Sequence, residues 1–177
     1  GTTVDRLQQQ ADEVRALNKK LVPFRILHGV ELEIKTDGTL DYPDEVLAEL
    51  DIVVASAHSG QRQEAERYTE RVLNAIRNPH VDIIAHPTGR ILGRRESNAL
   101  DVEQVIAAAA EMGTALEINA SPERLDLDDV HVRATVHAGV TLSLSTCSAP
   151  PHGFTNTTLG LRMATPACAP PAAIPHT

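Results

Sequence analysis

The stretch VDIIAHPTGR, from Val81 to Arg90, constrains the fold most, because an apolar run gives way abruptly to a histidine and then to turn residues. Val81, Ile83, Ile84 and Ala85 suit a short strand covered on both faces, and Pro87 has no N–H to donate to a ladder. His86 therefore falls at the strand's carboxyl end, where open α/β sheets and β/α barrels carry their chemistry. The same pattern occurs in DIVVASAHSG, where Asp51 to Ala57 is the strand and His58 ends it. It occurs again in TALEINASP, where Glu117 and Asn119 lie near the end of an apolar run.

Between these runs the apolar period changes from two to 3.6. Val4, Leu7, Ala11, Val14, Leu17 and Leu21 predict a helix over 4–21 with one buried stripe. Arg25 to Ile34, RILHGVELEI, reads as a strand with Glu31 and Glu33 on the same side. A carboxylate in such a run is either a ligand or exposed at an edge, since burying it unpaired costs several kcal/mol. A short helix follows from Pro43 to about Leu50, and another from Arg62 to Arg77 carries Ala65, Tyr68, Val72, Leu73 and Ile76 on one face. Helix 101–112 ends before Gly113, strand 114–118 follows, and helix 126–138 closed by Gly139 precedes strand 140–145. The fold class is thus α/β: alternation with short connections implies right-handed βαβ units around a parallel sheet, either open or closed into a barrel.

A chain of 177 residues suits one domain. No apolar period survives past about Met163, and from Thr165 to Thr177 the sequence is rich in Ala and Pro and reads as irregular. A formal net charge of −8 argues against a broad basic face for nucleic acid, although a small metal-neutralised phosphate site remains compatible with it. With 2% aromatic residues and no Trp, stacking platforms for single strands are nearly absent. Cys147 and Cys168 form neither a disulfide framework nor a CxxC pattern. No run approaches the ~20 apolar residues of a membrane span, so the expectation is a soluble, cytoplasmic protein with no membrane partner.

Glu31, His58 and His86 lie at or near the ends of three successive predicted strands. Neighbouring parallel strands run ~4.8 Å apart, so these side chains can converge on one ion. Two imidazoles and a carboxylate suit Zn, Mn or Fe better than Mg or Ca. Arg90, Arg94 and Arg95 cluster in the loop after His86, where they are either solvated surface or phosphate ligands. His28, His80, His131, His137 and His152 lack such placement, and most of them read as surface.

GVELEIKTDGTLDYPDEVLAELDIVVASAHSG, VDIIAHPTGRILGRRES and GTALEINASPERLDL resemble the polymerase and histidinol phosphatase (PHP) domain, specifically that of bacterial family X DNA polymerases. The likeness spans 1–164 and leaves 165–177 as a tail. It implies a distorted (β/α)₇ barrel, here partial and lacking its first strands, with a trinuclear Mn or Zn centre that hydrolyses phosphoesters. The implied metal ligands are Glu31, His58 and His86; Arg90, Glu117 and Asn119 become candidate catalytic residues, and Arg90, Arg94 and Arg95 candidate phosphate or DNA contacts. The implied substrate is DNA, processed as a 3′ to 5′ exonuclease or at abasic sites, with a polymerase core preceding Gly1. Where the family has its last Asp-x-His pair, this chain has Cys147 and Ala149, so impaired activity is expected. A catalytically silent scaffold or DNA-positioning module, and a free-standing phosphatase of the histidinol phosphatase type, are the alternatives.

Overall fold

The computed structural model describes residues 2–146 and 155–165. Five strands, β1 (Gly29–Glu33), β2 (Ile52–Ser56), β3 (Ile83–Ile84), β4 (Ala115–Asn119) and β5 (Leu142–Ser145), form one sheet in sequential order, every pair parallel. The helices are α1 (Val4–Leu21), α2 (Asp44–Leu47), α3 (Ala65–Ile76), α4 (Val102–Met112), α5 (Asp129–His137) and α6 (Thr157–Ala164). Right-handed crossovers that always step to the next strand put their helices on the same face. Accordingly α3, α4, α5 and α6 pack as successive neighbours. No helix among the described residues is long and apolar enough to cross a membrane.

The register divides the sheet into two chemically different faces. Leu32, Ala55, Ile84, Leu116 and Leu142 are aligned across all five strands, and none is more than 2% exposed. They join Tyr68, Val72, Ile76, Val105 and Val132 in the core, where each fully buried aliphatic side chain contributes ~1.5–3 kcal/mol relative to an exposed one. One residue along each strand the side chains turn to the other face. There one row sets Glu31 beside Val54, Ile83 and Ala115, and toward the carboxyl ends of the strands the rows read Glu33 with Ser56, Glu117 with Ser143, and Asn119 with Ser145.

Several expectations are corrected. The strand expected over 25–34 is only Gly29–Glu33, because Asn18 of α1 accepts from the Ile26 N–H and donates to its carbonyl, occupying the groups a ladder would use. The helix of 126–138 begins at Asp129, with Asp128 capping it through the His131 N–H, while Asp126 and Leu127 are buried in the preceding turn. Strand 81–85 pairs only at Ile83 and Ile84. The stripe on α1 is mostly uncovered: Leu7 alone is buried, while Val4, Leu17 and Leu21 are exposed. Periodicity reports that a helix is amphipathic, not that something lies against it. His28, expected at the surface, is buried beside Leu7, Val46 and Leu50 where α1 meets α2. Helix α6 was not anticipated from its apolar pattern; Gly160 lets it approach the Leu144 side chain, which a Cβ there would meet at 2.1 Å. Cys147, Ala149 and the tail from Pro166 lie outside the described residues.

Asp126, whose backbone pairs with Asn119 at the end of β4, ties that strand to the His86 loop, accepting from the backbone N–H of Thr88 (3.3 Å) and of Gly89 (2.9 Å). Burial raises its carboxyl above the usual range, against those hydrogen bonds, which lower it. The folded chain thus binds this proton more tightly than the unfolded chain. The stability it contributes is present below the unfolded value and is lost as pH rises through the raised folded value.

Two outcomes follow from this packing. Gly29 lies so close to β2 that a Cβ would sit 2.3 Å from the Ile52 carbonyl oxygen, so Gly29→Ala should cost about 1–3 kcal/mol in urea unfolding. Asp126 should add to the stability of the metal-free chain as pH falls toward the ordinary carboxylate range, alongside Glu117 and His58, whose values are also raised, until Glu31 and Glu33, whose values are lowered, begin to lose theirs. Asp126→Asn should make that gain shallower by removing the share of Asp126, and urea midpoints with an unchanged pH slope would contradict the assignment.

Candidate metal centre

Glu31 stands within β1 on the face opposite Leu32, while His58 and His86 each follow their strand, β2 or β3, by two residues. The parallel register brings the three together: their ligand atoms all lie within 4.8 Å of one another. Nε2 of His58 is 3.5 Å and Nε2 of His86 is 3.4 Å from Oε1 of Glu31. The two rings meet edge to face with centroids 5.2 Å apart.

These spacings fit an ion. Two ligands each ~2.1 Å from a tetrahedral centre are ~3.4 Å apart, longer than a good hydrogen bond and close to what the two nitrogens show against Glu31. The donor set suits Zn, Mn or Fe. Glu31 and His58 are exposed and His86 is buried, so an ion would be supported from below and open on one side. The facing imidazoles of His58 and then His86 hold the Glu31 carboxyl far below the usual carboxylate range, burial opposing and a hydrogen bond from Ser56 adding to them. The same contact with Glu31 raises the His58 imidazole, against burial and with help from Glu33. A metal would therefore compete with a proton for His58, as metal binding generally does for its ligands.

Glu33, two residues on, is not a member of this trio. Its Oε2 accepts from the His58 backbone N–H (2.9 Å) and lies 3.0 Å from His58 Nδ1. Its Oε1 accepts from the N–H and hydroxyl of Ser59 and from Arg71. Burial works to raise its carboxyl, but the hydrogen bonds from Ser59 and His58 prevail and lower it.

The candidate catalytic residues Glu117 and Asn119 lie beneath the trio. Glu117 Oε2 accepts from the His86 backbone N–H at 2.5 Å and from the Asn119 amide, and its Oε1 accepts from the Ser145 hydroxyl. Burial raises the Glu117 carboxyl. What it grips is a residue with φ of 31°, a left-handed conformation uncommon outside glycine, so His86 is held in place by more than its strand.

The three arginines separate. Arg90 donates to the carbonyls of Arg124 and Leu125 and lies 3.5 Å from Asp128, so its guanidinium braces the 124–128 turn. Arg95 donates to the Gly89 carbonyl at 2.7 Å. Arg94 is 74% exposed at its side chain, 4.0 Å from Glu123.

Two participants escaped the sequence reading, Arg71 and Asp126. Arg71 is fully buried on α3, and its position three residues after Tyr68 and one before Val72 put it on the apolar face, a signal that was available. Asp126 carried no such mark, since its burial depends on a turn packing under the His86 loop.

No family model matches the chain. It is 52% identical over 146 residues to the DNA polymerase/3′-5′ exonuclease PolX of Bacillus subtilis, covering 82% of this chain and 26% of that protein. It is 41% identical over 112 residues to a probable phosphatase of Thermoanaerobacter sp., covering 61% of this chain and 43% of that one. The chain thus spans well under two thirds of the length of these curated relatives. In structure it is similar to a histidinol phosphate phosphatase from Lactococcus lactis, solved with zinc, L-histidinol and phosphate, at a TM-score of 0.64 and 15% identity, covering 94% of this chain and 75% of that one. With the PolX likeness extending over four fifths of its length and the fold shared with a histidinol phosphatase, the chain belongs to the polymerase and histidinol phosphatase (PHP) family of phosphoesterases.

Proposed function

We propose that this chain is the metal-dependent phosphoesterase unit of a family X polymerase type of protein, acting on DNA phosphodiesters, with its five strands forming part of a distorted (β/α)₇ barrel. The observation that carries the reading is the spacing of Glu31, His58 and His86, which fits three ligands of one ion. The 52% identity to PolX favours a polynucleotide over a small phosphate monoester, and a polymerase core is the expected companion.

Glu31, His58 and His86 would hold Mn or Zn, which supplies Lewis acidity toward a phosphoryl oxygen. The chain's own residues do the rest. Glu117 fixes the His86 loop from below and Asp126 fixes the turn after it, so the imidazole needs no rearrangement to serve. Arg94, with Arg62 and Arg95, borders a groove of about 480 Å³ whose walls follow the His58 and His86 loops. There an exposed guanidinium is available to a flanking phosphate. Arg90 acts as a brace.

The test is titration of the chelated, purified chain with Mn²⁺ or Zn²⁺, followed by hydrolysis of a single-stranded oligonucleotide and of p-nitrophenyl phosphate. Metal-dependent cleavage of the oligonucleotide is expected, whatever its absolute rate. His86→Ala should weaken metal binding and cleavage by more than the roughly 100-fold that loss of a supporting partner costs. Cleavage that survives both chelation and His86→Ala would overturn the reading, and metal binding without turnover would favour the silent scaffold.

A further inference from the structure

We propose that Glu33, anchored by Arg71, is a positioning residue that fixes His58 in the Nδ1–H tautomer and so leaves its Nε2 lone pair for the ion; this rests on the metal reading above.

Arg71 is the starting point, because its side chain is only 1% exposed. A buried guanidinium costs several kcal/mol unless its donors and charge are met. Here the Nε and one terminal nitrogen donate to the Ile34 carbonyl, the other terminal nitrogen donates to the Ser59 carbonyl (2.9 Å) and Gln63 Oε1 (3.0 Å), and the charge faces Glu33 at 3.1 Å. Among the described residues Glu33 is the carboxylate it pairs with. All of these contacts fall on the end of β1 and on the loop that carries His58, so Arg71 stitches the two together.

The consequence for His58 follows from the acceptor-only chemistry of a carboxylate. Glu33 Oε1 is occupied by Arg71 and by the N–H and hydroxyl of Ser59, and Oε2 accepts from the His58 N–H and faces its Nδ1 at 3.0 Å. Neither carboxylate beside the ring can donate, and of the two contacts that of Nδ1 with Glu33 (3.0 Å) is a full hydrogen bond while that of Nε2 with Glu31 (3.5 Å) is not, so in the neutral ring the proton belongs on Nδ1 and Nε2 is the bare nitrogen. Nε2 is the atom that faces Glu31. A histidine whose far nitrogen is held by a carboxylate is the usual support for a metal-binding imidazole. Ser56 Oγ, 3.2 Å from the same Nδ1, can share the proton as a second acceptor without changing the outcome.

Glu33→Gln separates this role from a merely structural ion pair, because the variant has the same shape. Its amide oxygen still accepts from Arg71 and Ser59, but its amide nitrogen takes the place of Oε2, giving up the hydrogen bond from the His58 N–H and donating to Nδ1, which moves the ring proton to Nε2. Two measurements on the 177-residue chain decide the matter. The first is the ¹⁵N chemical shifts of the His58 ring in metal-free protein, with the imidazole neutral: Nδ1–H is expected in the original chain and Nε2–H in Glu33→Gln. The second is Zn²⁺ affinity by chelator competition, where Glu33→Gln should lose ~10–100-fold.

An Nε2–H tautomer in the original chain overturns the proposal even if the variant does not fold. Zn²⁺ affinity in folded Glu33→Gln within twofold of the original, while His86→Ala loses it, also overturns the proposal and leaves the metal site standing. If His86→Ala binds Zn²⁺ as the original does, the metal reading fails instead, and the metal-free tautomer still decides the role of Glu33.

Discussion

The parallel register across β1, β2 and β3 is the constraint on which the rest of the molecule depends. Val54 pairs with both Glu31 and Ile83, so the carboxylate and the two histidine-bearing loops leave the sheet side by side. A slip of one residue in β1 would turn Glu31 and Glu33 into the helix layer and expose Leu32 and Ile34. The core and the site are therefore fixed by the same alignment. The apolar row that makes one slip unfavourable also aims the ligands of the other face.

Burying polar groups beneath a site is costly, and the cost here is offset by connection. Glu117 accepts from His86, Asn119 and Ser145, and Asp126 accepts from Thr88 and Gly89. Each carboxylate is kept where its pKa is raised, so each would be more comfortable protonated or gone. That they remain, both directed at the backbone of 86–89, is consistent with a left-handed His86 that must be over-determined to persist. On the β1 side the same service to His58 comes from Glu33 and Arg71, a charged pair rather than neutral donors.

The helices contribute unequally. α3, α4 and α5 add side chains to the core against the sheet, whereas α1 buries only Leu7, beside His28, Val46 and Leu50, and leaves most of its stripe in solvent, along with Phe24 and Leu27 of the following segment. Among the described residues, the edge of the molecule at α1 and β1 thus carries a group of exposed apolar side chains. It is also the edge that presents Glu31, so access to the centre and incomplete packing occur at the same border.

The sequence by itself determined the alternation of strands and helices, the strand ends at His58 and His86, and the convergence of Glu31 with both. These follow from local period and from Pro and Gly punctuation, which act over a few residues. It did not settle whether Glu31 and Glu33 were ligands or edge residues, because period two says only that they share a face. Tertiary structure gave them different neighbours: Glu31 faces the Nε2 atoms of His58 and His86, and Glu33 lies behind His58 against Arg71. It also placed Arg90 against the carbonyls of a turn more than thirty residues away, a contact that no local pattern announces. Burial of His28, exposure of the α1 stripe and the place of Asp126 under the His86 loop were likewise decided by packing. A residue's own neighbours in sequence carry no record of which distant backbone will press against it.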